Sequence, residues 1–215
     1  MSQPAAEFHC AYPTTPEEAR GKAQYIFKKY GRFADGRPVI ELGCGDGVFL
    51  GYLKELGHQV LGIESNAELA AMARAGGVAV RETDLVAFLQ SGEAVAGVYL
   101  YIDVIEHVPF EANMAMLAAV PSGSRLIIQT PNTRSLRGHE MYMNVPSHLA
   151  PYAPWVIKQM LLRHGYTVVE EGSVDGPRIR GLRRRIARFV LRLFKLEPEL
   201  ILGGGNYYVV ADRRA

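Results

Sequence analysis

Two groups of residues in this 215-residue chain have the types and spacing to do chemistry. The first is Val39-Ile-Glu-Leu-Gly-Cys-Gly-Asp-Gly47, in which Gly43, Gly45 and Gly47 follow a short apolar run. Glycines there allow a tight turn with unusual dihedrals and let a ligand approach the backbone without meeting a side chain. A dinucleotide fingerprint would require Gly or Ala three residues after the second glycine, where this chain has Val48. A pyrophosphate is thereby disfavoured, and an uncharged nucleoside still fits. Glu64 stands 21 residues after Gly43, where an acid at the end of a second strand can accept both hydroxyls of a ribose. Asp84, in Glu-Thr-Asp-Leu, can accept from an adenine amino group, although an isolated loop Asp is as readily a turn residue.

The second group is Asp103, Glu106 and His107, beyond the apolar run that ends at Ile102. If the chain is helical there, the i, i+3 and i+4 spacing lets all three side chains converge. Two carboxylates and an imidazole form a plausible set for a divalent cation, with His148 of Asn-Val-Pro-Ser-His-Leu as a fourth ligand. Magnesium, manganese and zinc are all admissible to hard oxygens plus imidazole. His107 can equally serve as a general base with no metal. His9, His58, His139 and His164 have no comparable setting, which leaves them surface or structural roles.

The elements that must position these groups alternate. An entry helix is expected over 16–30, with Pro16 at its start, acids in its first turn and lysines in its last. Strands are expected at 38–42, 59–63, 77–81, 96–102, 124–130, 166–172 and 206–213, and helices at 46–57, 66–76, 109–119 and 151–164. The stretch before 96 shows no clear period, and 132–155 reads as a loop able to act as a substrate lid lined by Tyr142, Tyr152 and Trp155. Alternation at this spacing implies an α/β fold: a mostly parallel sheet with helices on both faces, in one domain over 1–215, with 1–35 as a helical entry.

Taken in order, Glu-Leu-Gly-Cys-Gly-Asp-Gly, Gly-Ile-Glu-Ser, Thr-Asp-Leu and Tyr-Ile-Asp-Val-Ile-Glu-His-Val-Pro resemble the motif series of class I S-adenosylmethionine-dependent methyltransferases, over roughly residues 38 to 132. The resemblance implies a Rossmann-like, seven-stranded sheet with an antiparallel last strand, which 206–213 fits. It also implies a cofactor set of Glu41, Gly43, Cys44, Gly45, Gly47, Glu64, Ser65, Asp84, Leu85, Ile102 and Asp103. In the family, the first acid and the glycines cradle the methionine part and the sugar. The DxxEH pattern, the Thr-Pro-Asn at 130–132 and the later His148 are similar to two groups within it. These are the ubiquinone-biosynthesis O-methyltransferases and the small-RNA terminal ribose methyltransferases, where ExxEH and a later histidine hold magnesium. Asp103 replaces the first glutamate of that pattern with a shorter ligand.

Composition narrows the setting. Cys10 and Cys44 have no CxxC partner, so neither a disulfide framework nor a zinc ribbon is expected. No secretory leader or run of about 18 apolar residues is evident, and a cytoplasmic enzyme is the expectation. Net charge is +2, yet Arg178, Arg180, Arg183, Arg184, Arg185, Arg188, Arg192 and Lys195 form eight cations without an acid among them. Basic character is therefore local, which argues against RNA as the substrate. In the same segment, placed within 177–198 as an insertion between the last two strands, Ile179, Leu182, Ile186, Phe189, Val190 and Leu193 recur at helical spacing. Such a helix either docks on the sheet with a solvated arginine face or lies on an anionic inner-membrane surface through 178–195. The sequence thus points to methylation of a small-molecule, glycan or lipid-linked hydroxyl. Ribose methylation at an RNA end and a non-catalytic cofactor-binding subunit are its rivals.

Overall fold

The computed structural model describes residues 15–174 and 181–214. His9, Cys10, Arg178, Ile179 and Arg180 therefore lie outside the described residues. Helix α1 (Pro16–Tyr30) starts on a capping box, in which the Thr15 side chain accepts from the Glu18 amide and Glu18 answers to the Thr15 amide. The chain then forms β1 (Val39–Leu42), α2 (Val48–Glu55), β2 (Val60–Glu64), α3 (Ala67–Ala75), β3 (Val80–Glu82) and α4 (Leu85–Gln90). After β4 (Val98–Ile102) come a 3-10 turn over Ile105–His107, α5 (Phe110–Ala119), β5 (Arg125–Pro131) and α6 (Leu136–Met143). Last are α7 (Pro154–Arg163), β6 (Tyr166–Val174), α8 (Gly181–Leu193), α9 (Pro198–Leu202) and β7 (Asn206–Arg213).

The seven strands form one sheet in the order β3-β2-β1-β4-β5-β7-β6. Every neighbouring pair from β3 to β5 is parallel, whereas β7 runs antiparallel to both β5 and β6. The expected Rossmann-like sheet with an antiparallel last strand is the one observed. Period-two alternation sorts its side chains between two cores. Ile40, Leu42, Tyr99, Tyr101, Leu126 and Ile128 join the core built with α4, α5 and α7. Val39, Val98, Leu100 and Ile127 join the opposite core with α1, α2 and α3. Helices thus cover both faces, as parallel strands buried on both sides require. Val39–Leu42 is buried at all four positions, Glu41 included, and this charged residue in a core strand is the first sign of a site.

Two helices lie where no period was expected. Asp84 caps α4, its Oδ1 accepting from the Val86 and Ala87 amides. Ser135 caps α6, its Oγ accepting from the Gly138 amide, so the 132–155 segment is partly helical rather than a plain loop. Helix α8, which holds the described part of the basic segment, comes between β6 and β7 in the chain.

Candidate functional site

The switch in strand order at β1 and β4 places the ends of both strands, and the loops that leave them, at one crevice, the usual ligand position in an open α/β sheet. The glycine loop after β1 is held to β2 by the Gly43 and Cys44 amides, which both donate to the Ile63 carbonyl. Gly43, Gly45 and Gly47 all have positive φ, at 75°, 56° and 73°. They differ in what a side chain would meet. A Cβ on Gly43 would lie 2.8 Å from Val104 Cγ2, and one on Gly47 would lie 2.6 Å from Ala73 Cβ. At Gly45 a Cβ would meet nothing within 4 Å, so the loop leaves open space over this residue alone of the three. Gly43 and Gly47 are therefore fixed by packing, and Gly45 borders room for a ligand.

Two acids flank that space. Glu64 is buried, its Oε2 accepting from the Gly45 amide at 2.9 Å and its Oε1 from the Asn66 amide at 2.8 Å. One carboxylate thus fixes the glycine loop and the start of α3, with further lone pairs left on both oxygens. Glu41 is buried with no hydrogen-bond partner for Oε2, and desolvation raises its pKa to about 8, with Lys22 pulling the other way. An unpartnered carboxylate oxygen buried beside an open glycine cradle fits a ligand that carries a donor or a positive charge.

The rest of the expected cofactor set differs in burial. Ser65 and Asp84 are exposed, and Ile102 and Asp103 are partly buried. Leu85 belongs to the core around α4 and α5. The Cys44 side chain packs in the opposite core, where a Cβ on Gly62 would come within 2.4 Å of its Sγ, and burial pushes the thiol up to about 12. Only the backbone of Cys44 faces the loop's task, and its thiol is inert packing.

The second group converges without Asp103. Glu106, His107 and His148 place one ligand atom each within 4.8 Å of one another. Asp103 was expected to join them, and it does not. The chain is not α-helical after β4: Asp103 adopts φ 54°, a left-handed turn, and a single 3-10 turn follows. Its carboxylate is thereby carried toward Gln129, whose Nε2 donates to both oxygens at 3.0 and 3.1 Å. Gln129 Oε1 in turn accepts from the Tyr30 hydroxyl of α1 at 2.6 Å. Burial raises the Asp103 pKa against this hydrogen bond and the fields of Lys22 and Lys29. Asp103 belongs to the α1 side of the crevice, and the Glu106 cluster belongs to the 132–155 side.

Glu106 is 1% exposed. Its Oε2 accepts from Thr130 Oγ1 at 2.9 Å, which gives the Thr-Pro-Asn segment a task, whereas Oε1 has no hydrogen-bond partner and lies 3.8 Å from His148 Nε2. Burial first, then the Asp103 charge, raises the Glu106 pKa to about 8. Both imidazoles are anchored on backbone carbonyls. His148 Nδ1 is 2.7 Å from the Tyr142 carbonyl, and His107 Nδ1 is 3.2 Å from the Ser147 carbonyl. A carbonyl only accepts, so His148 Nδ1 carries the proton and its Nε2 the lone pair, whereas His107 Nδ1 faces both the Ser147 carbonyl and, at 3.1 Å, the Ser147 hydroxyl, which can accept from it or donate to it. The Leu149 amide donates to the Glu106 carbonyl at 2.7 Å, tying the 132–155 segment to this turn.

Of the expected lid aromatics, Tyr142 stacks on His148 with ring centroids 4.9 Å apart. Tyr152 is instead a core residue hydrogen-bonded to Asn113, and Trp155 is 66% exposed. Asn113 was missed by sequence reasoning, and it braces the whole turn. Its amide donates to the carbonyls of Ile105 and Val108 at 3.0 and 2.9 Å, and its Oδ1 accepts from Tyr101 at 2.7 Å. The available signal was one amide in the apolar run Phe-Glu-Ala-Asn-Met-Ala-Met-Leu. Gln129 was missed as well, because an amide within an apolar strand carries no motif.

The model of a methyltransferase domain family matches residues 15–171. No curated protein sequence matches the chain. A SAM-dependent methyltransferase from Archaeoglobus fulgidus is 20% identical, with a TM-score of 0.77 over 97% of this chain and 99% of that one. Magnesium protoporphyrin IX methyltransferase from Synechocystis PCC 6803, solved with bound SAM, is 15% identical, with a TM-score of 0.59 over 90% of this chain and 79% of that one. The methyltransferase domain of the bacterial protein CtHen1-C is 16% identical, with a TM-score of 0.61 over 91% of this chain and 98% of that one.

Proposed function

The chain belongs to the family of methyltransferase domains, and on that premise we propose that it moves a methyl group from S-adenosylmethionine to a hydroxyl of a small-molecule, glycan or lipid-linked acceptor. When bound, the cofactor supplies a methyl group on a sulfonium, which leaves by in-line displacement. The residues suit that ligand. Gly45 opens the space, the unpartnered Glu41 Oε2 meets positive charge, and Glu64 has lone pairs left for ribose hydroxyls. Asp84 holds the start of α4 through Oδ1, and its other oxygen would accept from the adenine amino group.

The observation that carries hydroxyl transfer is the Glu106–His107–His148 cluster, buried at Glu106 and half-buried at both histidines. A hydroxyl acceptor must lose a proton as it is methylated, and a neutral imidazole of this cluster is the group to take it. The cluster also fits a divalent cation: two anchored imidazoles, a carboxylate oxygen without a hydrogen-bond partner, and ligand atoms within 4.8 Å. Magnesium, manganese or zinc bound there would lower the acceptor pKa and orient it. Chelation should then abolish turnover, added metal should restore it, and calorimetric titration of manganese should show one site that is lost in His148→Ala. Full turnover by a chelated preparation that contains no metal would overturn the cation and leave His107 as a plain general base.

One observation favours a second acceptor class. The same cluster suits an RNA hydroxyl, and the small RNA methyltransferase HEN1 shares this fold. Against it, eight of the 24 lysines and arginines are concentrated in the single segment 178–195. Filter binding of short RNA across a salt series separates the two, because phosphate contacts impose a steep salt dependence.

A further inference from the structure

Helix α8 is amphipathic, and among the described residues its apolar stripe is uncovered. Ile186, Phe189, Val190 and Leu193 recur at i, i+3, i+4 and i+7, and all four are exposed, Phe189 by 63% and Leu193 by 65%. Phe194 extends the stripe at 73% exposure, and a shallow apolar groove continues it onto Ile201 of α9. A helix docked on the sheet would bury this face. Instead it meets α9 along its Ala187 and Leu191 side, which is half-buried. Arg185, Arg188 and Arg192 occupy the adjacent face and Arg183 the opposite rim, all exposed. Uncovered apolar patches of this kind mark a binding surface.

We propose that α8 lies in the interface of an anionic lipid bilayer, with the Ile186–Leu193 stripe in the acyl boundary and the arginines among the headgroup phosphates. Charge decides the occupant. A second copy of the chain would bring two arginine-rimmed stripes together, and these repel. A bilayer with acidic headgroups satisfies the stripe and its rims at once, because an interfacial helix needs apolar depth and cations at the level of the phosphates. No helix of the described residues is long and apolar enough to span a membrane, so this contact is peripheral. The α8–α9 segment is also joined to the acceptor side of the crevice. The Gly204 carbonyl accepts from Ser135 Oγ at 2.7 Å and from Asn132 Nδ2 at 3.1 Å, directly beside α6. Leu136 and Met143 at the two ends of α6 are exposed as well.

Vesicle flotation tests this without any methyl transfer, so its failure and the failure of the proposed reaction are separable. The full chain is mixed with vesicles of phosphatidylcholine alone or of phosphatidylcholine with phosphatidylglycerol. It should float with the anionic vesicles only, and salt should release it. Soluble glycerophosphoglycerol should not compete, which distinguishes a lipid surface from a phosphate site. Phe189→Glu with Leu193→Glu, and separately Arg185→Glu with Arg188→Glu and Arg192→Glu, should each weaken partitioning by roughly tenfold or more. Melting temperature and adenosylhomocysteine binding should be unchanged in both. Equal flotation on neutral vesicles, none on anionic ones, or no effect of the Phe189 and Leu193 changes would overturn the proposal. So would a wild type that floats with neither and runs as a dimer in sizing chromatography, with the Phe189 variant monomeric, since the face would then join two copies.

Discussion

Replacing Glu64 with alanine should damage the protein in two separable ways. The carboxylate accepts from the Gly45 and Asn66 amides, so its loss leaves two backbone donors to find water. A lost hydrogen bond costs about 1 kcal/mol net where water can enter, and Glu64 sits at the open end of β2 next to exposed Ser65. About 2 kcal/mol of stability should go, which for a chain of this length lowers Tm by roughly 4–8 °C. The ribose contacts are a further loss. Hydrogen bonds to a charged acceptor are worth about 1.5–3 kcal/mol, so affinity should fall roughly 10- to 150-fold. Glu64→Gln keeps the shape and one acceptor, and both effects should be intermediate. Calorimetry with S-adenosylhomocysteine reads the affinity, and a thermal melt without ligand reads the stability. A lowered Tm with an unchanged Kd in both variants would refute the ribose role and reduce Glu64 to a brace for the glycine loop.

Gly45→Ala and Gly47→Ala should part company. The first meets left-handed strain of about 1–2 kcal/mol and open space, so it should fold and lose cofactor affinity. The second adds a methyl against Ala73 of α3, and its melting temperature should fall further than that of Gly45→Ala. Glu41 gives a pH signature. Its folded pKa, raised by burial to about 8, stands above the usual 4.5, so its contribution is present below pH 4.5 and lost as pH rises toward 8. Thermal melts of the ligand-free protein should therefore decline from pH 5 to 8, and Glu41→Gln should flatten part of that slope. An unchanged slope would show that the carboxyl is not held neutral. If the cofactor's positive charge meets Glu41, binding near pH 7 should release a proton, visible as a dependence of the calorimetric enthalpy on buffer ionisation. Asn113→Ala should remove two donors from the 104–108 turn and reduce turnover, with adenosylhomocysteine affinity retained, because the brace serves the acceptor side. Equal loss of cofactor affinity would show that the turn supports the whole crevice.

Much of the fold was legible because its central strands are apolar on both faces and its glycines punctuate them. Val39–Leu42, Val98–Ile102 and Asn206–Arg213 fall where composition and turn residues placed them. Helix α4 escaped because six residues are too few to show a period, although Asp84 before Leu-Val-Ala-Phe is an N-cap signal. Helix α6 was masked by Gly138, which reads as a breaker. The glycine is required because a Cβ there would lie 2.0 Å from the Asn132 carbonyl oxygen. In the candidate site, Glu106, His107 and His148 were legible as residue types, and spacing brought the first two together. The exclusion of Asp103 was not legible, since a left-handed turn at a non-glycine residue reverses the direction that helical spacing assigns. Its partner Gln129 lies in a strand where only the fold shows which side each residue faces.

The central claim is that the glycine loop holds an adenosyl cofactor rather than a dinucleotide, and one calorimetric experiment addresses it directly. Wild-type protein is titrated in parallel with S-adenosylhomocysteine and with NAD, and Gly45→Ala serves as the control for the loop. Adenosylhomocysteine should bind in the micromolar range, NAD should not bind, and the variant should lose the first. Micromolar binding of NAD with none of adenosylhomocysteine would contradict the claim.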